Sequence, residues 1–323
     1  MKPTSYLSAL FRPSAPPAGE RPPCDFDLIS RYFYNCPAED TCHTIDAETT
    51  ADLDLNAVFE RIDRTTSKVG QQCLYARMRT LRGEEDAAAF GRSTDCFSRN
   101  GELAASCTKS LSRLTDEDAY GLQSLIFDTP AKVRYFAWVY PLTLLAVATL
   151  LAAPFYPLSL LLFMAIFAVN LYIHYSNKLN VSLYGSAVKQ LSLALRTARE
   201  LAVEEVPGTE EATGQIRQVA EVGTQGDSAN ELAAIAWLFI ELAKVAFNIE
   251  VILFQRFIGS ITARRDAIHG MFRFIGETDA AISVARLRSE TQTCRPQFVD
   301  GKYLKAEQVV HPLIDGCVPN TLV

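Results

Sequence analysis

The sequence lacks the cysteine patterns of a metal-binding module. Its eight cysteines include no Cys-x-x-Cys pair, and no His or Cys cluster has zinc-finger spacing. The nearest group of possible ligands is Cys36, Cys42 and His43 in "CPAEDTCH". A metal in that polar loop is one interpretation, but free thiols in a reducing cytosol are the favoured one. We therefore expect no metal site.

Positive charge is also scarce. The chain has 31 Lys and Arg residues against 37 Asp and Glu, which is a net charge of −6. This balance argues against a broad basic surface for autonomous nucleic-acid binding, although it permits a local patch. The arginines between residues 264 and 288 are interspersed with acidic residues. That pattern indicates a solvated helix face rather than a phosphate-binding stripe.

A secretory signal is missing from the N-terminus. No apolar run precedes the proline-rich "PSAPPAGERPP", and the leading residues are mostly small or polar. Residues 1–45 are therefore predicted to form a flexible lead-in to the folded chain.

One stretch lacks charge altogether, since residues 135–175 contain no Asp, Glu, Lys or Arg. "APFYP" divides it into two apolar segments of about 18 residues, each long enough to cross a ~30 Å hydrocarbon layer. Pro154 and Pro157 favour a tight turn between the segments. The pattern predicts a transmembrane helical hairpin over 135–175. The alternative is a buried hairpin in a soluble core, where a helix usually keeps one charged face.

The residues that flank the hairpin are those expected at a membrane surface. Basic residues on both sides follow the positive-inside tendency, and aromatic rings collect where the segments begin and end. We therefore predict a cytoplasmic-membrane protein with two spans, both termini in the cytoplasm and lipid as a partner. The predicted interface residues are Lys132, Arg134, Trp138, Tyr156, Tyr175 and Lys178.

A second apolar stretch, "ELAAIAWLFIELAKVAFNIEVILFQRF", calls for a different interpretation. It contains three ionisable side chains, at Glu241, Lys244 and Glu250. Each would cost roughly 2.5–3.5 kcal/mol at a bilayer centre. The apolar residues follow helical spacing, so we predict one long core helix over 231–257, started by a capping box at Ser228. A third membrane span is the alternative.

The remaining sequence is mainly helical until its last thirty residues. Helices are predicted over 52–62, 67–81, 102–114, 179–206 and 262–290. After residue 293 the pattern changes to β-type alternation with turn residues. The predicted units are a lead-in (1–45), a first helical part (46–134), the hairpin (135–175), a second helical part (176–292) and a β-rich end (293–323).

Two stretches of this sequence resemble the MutS family of DNA mismatch-repair ATPases. The first is "DLDLNAVFERIDRTTSKVGQQCLYARMRTL", residues 52–81, which is similar to the start of the family's helical lever domain. The residues that match the family's positions there are Thr66, Gly70, Leu74 and Tyr75. The match covers both predicted helices of this part.

The second stretch, residues 275–320, resembles the family's passage from its last lever helix into the ATPase domain. The helix match consists of Asp279, Ala280, Ser283 and Ala285. Beyond the helix, the residues that match the family's positions are Arg295-Pro296, His311-Pro312, Val318 and Asn320. Since the two stretches bracket the hairpin, the chain is similar to the membrane-anchored MutS-like proteins of some bacteria.

This resemblance implies a mainly α fold, namely a helical lever/core domain with an inserted transmembrane hairpin and a short β start of an ATPase domain. It also implies that the intact protein binds ATP and Mg²⁺, acts on DNA, and forms a homodimer through its ATPase domain. Specific mismatch recognition is not expected, because no Phe-x-Glu wedge precedes the lever. By resemblance alone, Cys317, Val318 and Asn320 are candidate nucleotide contacts; a plain turn at "GCVPN" is the alternative.

The phosphate-binding loop of such an ATPase is absent from this sequence. A P-loop requires Gly-x-x-x-x-Gly-Lys-Ser/Thr, because backbone N–H groups cradle the phosphates and the hydroxyl holds Mg²⁺. The only Gly-Lys pair, Gly301-Lys302, is followed by Tyr303 and lacks the earlier glycine. No histidine has a Ser or Cys partner at a catalytic spacing. We therefore expect no enzyme activity, catalytic residue or bound cofactor in this chain alone.

Two functional hypotheses remain. The first is the lever-core half of a membrane-anchored, ATP-dependent MutS-like DNA-processing protein. The second is a membrane-anchored helical scaffold that never uses nucleotide. The missing P-loop favours the second hypothesis, and the family-like residues between 279 and 320 favour the first.

Overall fold

The protein is mainly helical in its computed structural model, as the sequence predicts, with two short pairs of strands. The structure describes residues 24–36, 41–129, 133–222, 243–297, 299, 302–314 and 316–322.

Helices of very different length make up most of the described chain. The first eight are Phe26–Ile29 (α1), Arg31–Asn35 (α2), Ala47–Asp52 (α3), Leu55–Ile62 (α4), Lys68–Arg79 (α5), Glu84–Arg99 (α6), Gly101–Leu111 (α7) and Leu122–Phe127 (α8). The next five are Phe136–Ala152 (α9), Ser159–Val203 (α10), Thr209–Ala220 (α11), Ile249–Ala263 (α12) and Arg265–Glu290 (α13). Two 3₁₀ turns, Ser112–Leu114 and Glu117–Gly121, connect α7 to α8.

The strands form two separate antiparallel pairs. Thr41–Thr44 (β1) pairs with Thr80–Arg82 (β2), which directly follows α5. Ala306–Val309 (β3) pairs with Asn320–Leu322 (β4), so the predicted β-type end contains a small hairpin. Ala306 of β3 is half-buried. The other three residues of β3 and all of β4 are exposed.

The core of the protein surrounds α13. This helix packs against α5, α6, α8, α10 and α11. Small and apolar residues cover most of its circumference, which is typical of a helix enclosed by others. Its buried apolar residues are Ala267, Ile268, Met271, Phe272, Phe274, Ile275, Ala280, Ala281, Ile282 and Ala285.

The N-terminal lead-in is shorter than predicted. Residues 24–36 belong to the folded core, because Ile29 and Tyr32 in α1 and α2 are buried. The ring of Tyr32 lies 4.8 Å from that of Phe272 on α13. Such short helices have little periodicity, so only the long-range contact reveals their place.

The predicted hairpin consists of α9 and the first part of α10, which lie side by side in opposite directions. The Ser159 hydroxyl donates a hydrogen bond to the carbonyl of Thr149 near the turn, and the Tyr135 and Tyr172 hydroxyls are 3.3 Å apart at the other end. Among the described helices, only the segment Ser159–Lys178 is long and apolar enough to cross a membrane. At 17 residues, α9 is shorter than predicted.

The first predicted helix after the hairpin, 179–206, is not separate. It continues from Ser159 without interruption, so α10 has 45 residues and spans about 68 Å at ~1.5 Å per residue. The boundary predicted at residue 175 therefore falls inside a helix. The physical reason is the absence of proline between Pro157 and Pro207, since polar residues alone do not end a helix.

The predicted helix over 231–257 is interrupted. Asn248 adopts the left-handed conformation (φ 51°), and α12 begins after it at Ile249. Asparagine is one of the few residues that tolerate this conformation. The predicted capping box at Ser228 lies outside the described residues. Burial of Phe257 and Ile261 agrees with a core position for the second half of α12.

Candidate functional site

A buried junction joins the start of α5 to α13. The Asp279 carboxylate accepts hydrogen bonds from the backbone N–H and the hydroxyl of Ser67, both at 2.6 Å, and from the N–H of Thr66 at 3.0 Å. The Ser67 hydroxyl in turn accepts the N–H of Gly70 at 2.9 Å, which caps α5. A carboxylate on the last long helix therefore orients the cap of an early one.

Glycine allows the two helices to come this close. A Cβ atom on Gly70 would overlap the Asp279 carboxylate, and one on Gly276 would overlap the sulfur of Cys73. Each helix thus presents a glycine to a side chain of the other. The consequence is a rigid α5–α13 pair with little room for substitution.

Burial raises the pKa of Asp279 to about 6, although the hydrogen bonds from Ser67 and Thr66 act in the opposite direction. The carboxylate is completely buried and faces no basic partner among its hydrogen bonds. Its ionised form is therefore supported by N–H and O–H donors only.

Several other matched residues of the two helical stretches also lie near this junction. Leu74, Tyr75 and Ala280 are buried in one apolar cluster with Phe59 of α4. The Ser283 hydroxyl accepts the N–H of Arg64 at 2.8 Å, just before α5. The first stretch and the helical part of the second, predicted separately, therefore form one packed unit.

The residues predicted at the membrane surface separate into two groups. Arg134, Tyr175 and Lys178 lie at the end of the hairpin that joins the core, and the Lys178 ammonium sits 5.5 Å from the centre of the Tyr175 ring. Trp138 is exposed in the first turn of α9, whereas Tyr156 is exposed in the turn at the opposite end. Lys132 lies outside the described residues.

Two buried asparagines on α10 form structural contacts that were not predicted, one within the hairpin and one to a neighbouring segment. The buried Asn177 accepts the N–H of Arg134 at 2.9 Å and donates to its carbonyl at 3.2 Å. Asn170, also buried, donates to the carbonyl of Ala246 at 2.6 Å. Their seven-residue spacing within an apolar helix places both on one face. This spacing is the feature of the sequence from which they could have been predicted.

A buried guanidinium was also missed. Arg79, at the end of α5, donates to the carbonyl of Ile45 at 2.9 Å and to the hydroxyls of Tyr34 and Tyr75. Its guanidinium lies 4.0 Å from the centre of the Phe33 ring. No carboxylate forms an ion pair with it in the described structure. Aromatic faces and neutral acceptors therefore stabilise this charge, which local sequence could not reveal.

The candidate nucleotide contacts do not form an enclosed site. Cys317 interacts with its own loop, since its sulfur accepts the N–H of His311 at 3.2 Å. Val318 is 79% exposed, and Asn320 is exposed at the start of β4. These residues are adjacent in the chain but present no pocket wall to a base.

The possible metal ligands are not brought together either. Cys36 is half-buried near Tyr32, whereas Cys42 and His43 are exposed on β1. Within the part of the chain that the structure describes, no three His, Cys, Asp or Glu side chains are placed to hold a metal ion. None of the eight cysteines forms a disulfide.

Comparison of the chain with protein-family models, with curated proteins and with solved structures finds no match.

Proposed function

We propose that this chain is the helical lever of a membrane-anchored MutS-like DNA-processing protein, and that it transmits motion between the membrane and an ATPase domain. The observation that carries the proposal is the continuity of α10. Its first half is exposed and apolar, while Leu191, Leu195 and Leu201 in its second half are buried in the core. A single helix that belongs to both parts moves as one body.

The anchor is the pair formed by α9 and the first half of α10. Large apolar side chains point outward along both helices, which suits a hydrocarbon solvent and not water. The outward residues include Leu144, Leu151, Leu161, Met164 and Val169. A 17-residue α9 spans about 26 Å, which a bilayer accommodates by slight thinning. We propose two spans with both flanks in the cytoplasm.

The family part of the proposal is supported by the α5–α13 junction. The matched residues of the first stretch, Thr66 and Gly70, contact the matched Asp279 of the second. A chance resemblance in two distant stretches would not require their matching residues to touch. In the intact protein we expect Mg-ATP binding, a homodimer and DNA as partner, with DNA contacts outside the hairpin.

A nucleotide-independent membrane scaffold is the second candidate. The exposure of Val318 and Asn320 favours it. The coding DNA beyond the codon for Val323 distinguishes the two candidates. A P-loop encoded soon after a strand supports the MutS-like lever, because the phosphate loop follows a strand in that architecture. Unrelated sequence there removes nucleotide from the function.

The membrane part is tested with the full chain expressed in cells and extracted with alkaline carbonate. Val169→Arg places a charge at the middle of the Ser159–Lys178 segment, where insertion costs roughly 2.5–3.5 kcal/mol more. We expect this variant to move from the membrane pellet to the soluble or aggregated fraction. Val203→Arg makes the same change at an exposed site on the same helix and should stay in the pellet. Equal behaviour of the two variants would contradict the anchor.

DNA binding is tested with the protein in nanodiscs. We expect a gel shift with branched or duplex DNA that weakens steeply with salt, because phosphate contacts release counterions. Binding by the chain alone would place DNA contacts in the lever. If no DNA is retained even when an ATPase half is supplied, the scaffold function is the better one.

A further inference from the structure

The helix break at Asn248 lies against the predicted membrane hairpin and not inside the soluble core. We infer that residues 243–255 form a third membrane-embedded element whose outer face contacts lipid hydrocarbon. This inference rests on the proposed anchor, which it extends from two helices to three elements.

Three contacts fix the level of the turn. The Thr143 hydroxyl on α9 donates to the carbonyl of Phe247 at 3.1 Å, and Asn170 on α10 donates to that of Ala246. One turn later, Val251 packs with Val139 and Ile173 in a small apolar cluster separate from the main core. Ala246 pairs with Asn170 and Val251 with Ile173, so α12 and α10 run in the same direction.

The depth of the turn follows from this alignment. Asn170 precedes Lys178 by eight residues on a continuous helix, which corresponds to about 12 Å along its axis. If Lys178 marks the membrane surface, the carbonyls of Ala246 and Phe247 lie more than a third of the way into a ~30 Å hydrocarbon layer.

The backbone groups freed by the break require partners at this depth. Carbonyls without a helical partner are costly in hydrocarbon, so irregular backbone occurs there only where protein groups satisfy it. The Thr143 hydroxyl and the Asn170 amide donate hydrogen bonds to these carbonyls. Thr143 also bonds to the carbonyl of Val139 on its own helix at 2.8 Å, and both Thr143 and Asn170 reach across to the same turn.

The outer face of α12 changes from apolar to charged at the level expected for the membrane surface. Ile249 and Leu253 are exposed and apolar, and the next residue on the same face, Arg256, is exposed and charged. Beyond Arg256, Phe257 and Ile261 are buried in the main core. The helix thus leaves the apolar layer at about residue 256.

The charged residues of this element are paired near its surface. Glu250 lies 3.6 Å from the Lys244 ammonium and 3.8 Å from Nδ1 of His174. His174 is one turn, about 6 Å, below Lys178, so these charges lie inside the apolar layer on the side nearer the core. Their pairing lowers the free energy of placing charged side chains in hydrocarbon. That free energy is the reason why a core helix was predicted here from the sequence.

Depth-dependent quenching tests the inference. A fluorescent amino acid is placed singly at Leu253, at Val169 and at Val203 in the full chain, reconstituted in vesicles that carry a nitroxide on the lipid tail. We expect the probes at Leu253 and Val169 to lose fluorescence and the probe at Val203 to keep it. Each labelled protein must first show the melting temperature of the unlabelled protein.

Each other outcome has a separate meaning. Quenching at Val169 with none at Leu253 would overturn the third element and leave the two-helix anchor intact. No quenching at either site would remove the membrane anchor itself. As a second readout, the probe at Arg256 should be quenched by a nitroxide on the headgroup more than by one deep in the tail; the reverse order would also overturn the inference.

Discussion

The carboxylate of Asp279 accepts two hydrogen bonds from Ser67, although 212 residues separate them in the chain. Everything between these residues, including the apolar hairpin, therefore leaves from and returns to one fixed junction. The helices before and after the hairpin are therefore held together independently of where the hairpin lies.

Asp279 should make the stability of the protein depend on pH. Its pKa in the folded state, about 6, exceeds its ordinary value of 3.8, so the folded state binds the proton more tightly. The contribution is fully present below pH 3.8 and is lost as the pH rises through about 6. We expect Asp279→Asn to remove this loss. The measurement is the free energy of unfolding in detergent at pH 5 and pH 7.

Only the difference between wild type and variant isolates this effect, because other carboxylates act oppositely. The pKa of Glu200 is lowered by Ser110 and Arg113 despite its partial burial, so its contribution to stability falls in acid. Between pH 5 and pH 7, the unfolding free energy of Asp279→Asn should therefore rise relative to that of wild type. A pH-independent difference would show that Asp279 is not the titrating group.

Gly70→Ala should be strongly destabilising. The added methyl group would overlap the Asp279 carboxylate, and a relaxation would break the bonds to Ser67. We expect a loss of about 2 kcal/mol or more in unfolding free energy, as for other overpacked interiors. The matched control is Gly214→Ala on α11, where a methyl group meets nothing and should stabilise by up to about 1 kcal/mol.

Local signals predicted three of the helices and one helix break closely. The helices α4, α5 and α13 follow apolar periodicity, and the break at "APFYP" follows from its two prolines. Their bounds differ from the prediction by a few residues because caps such as Ser67 depend on side-chain hydrogen bonds. The continuity of α10 could also have been predicted, since no proline interrupts it.

Other features could not be read from local sequence. The break at Asn248 occurs inside an apolar run, and only the bonds from Thr143 and Asn170 make it favourable. The burial of Arg79 depends on Ile45 and Tyr34, which come from elements far from α5 in the chain. Likewise, the resemblance names Thr66 and Asp279 separately but does not say that they touch.

Arg79→Lys should be far from conservative. A lysine cannot donate to Ile45 while it also reaches both tyrosine hydroxyls, and it loses the planar contact with Phe33. We expect a loss of about 2–4 kcal/mol, because a buried charge would lose part of its hydrogen bonding. Thermal melting of the detergent-solubilised protein measures it.

The control for Arg79→Lys is Arg196→Lys, where the side chain is 68% exposed and pairs only with Glu200 on the same helix. That change should fall within about 0.5 kcal/mol of wild type. If both variants melt at the same temperature, the network around Arg79 does not contribute as described.

Arg295 fastens the C-terminal segment to the core. Its guanidinium pairs with Asp95 on α6, where Arg288 is also 3.8 Å away. The hydrogen bond from Arg295 holds the pKa of Asp95 below its usual value. This stabilisation is therefore present above pH 3.8 and is lost as the pH falls through the lowered pKa. The described residues between Arg295 and β3, which are 296, 297, 299 and 302–305, are exposed.

Arg295→Ala should therefore release the segment without unfolding the helices. An exposed ion pair is worth up to about 1 kcal/mol, which corresponds to a few-fold change in local opening. We expect a protease that cuts only after lysine to cleave at Lys302 and Lys305 a few-fold faster, with unchanged global melting. Arg288→Ala, which removes only the longer contact, should cleave nearly as wild type. Equal acceleration in both variants would mean that Asp95, and not the Arg295 contact, determines how the segment is held.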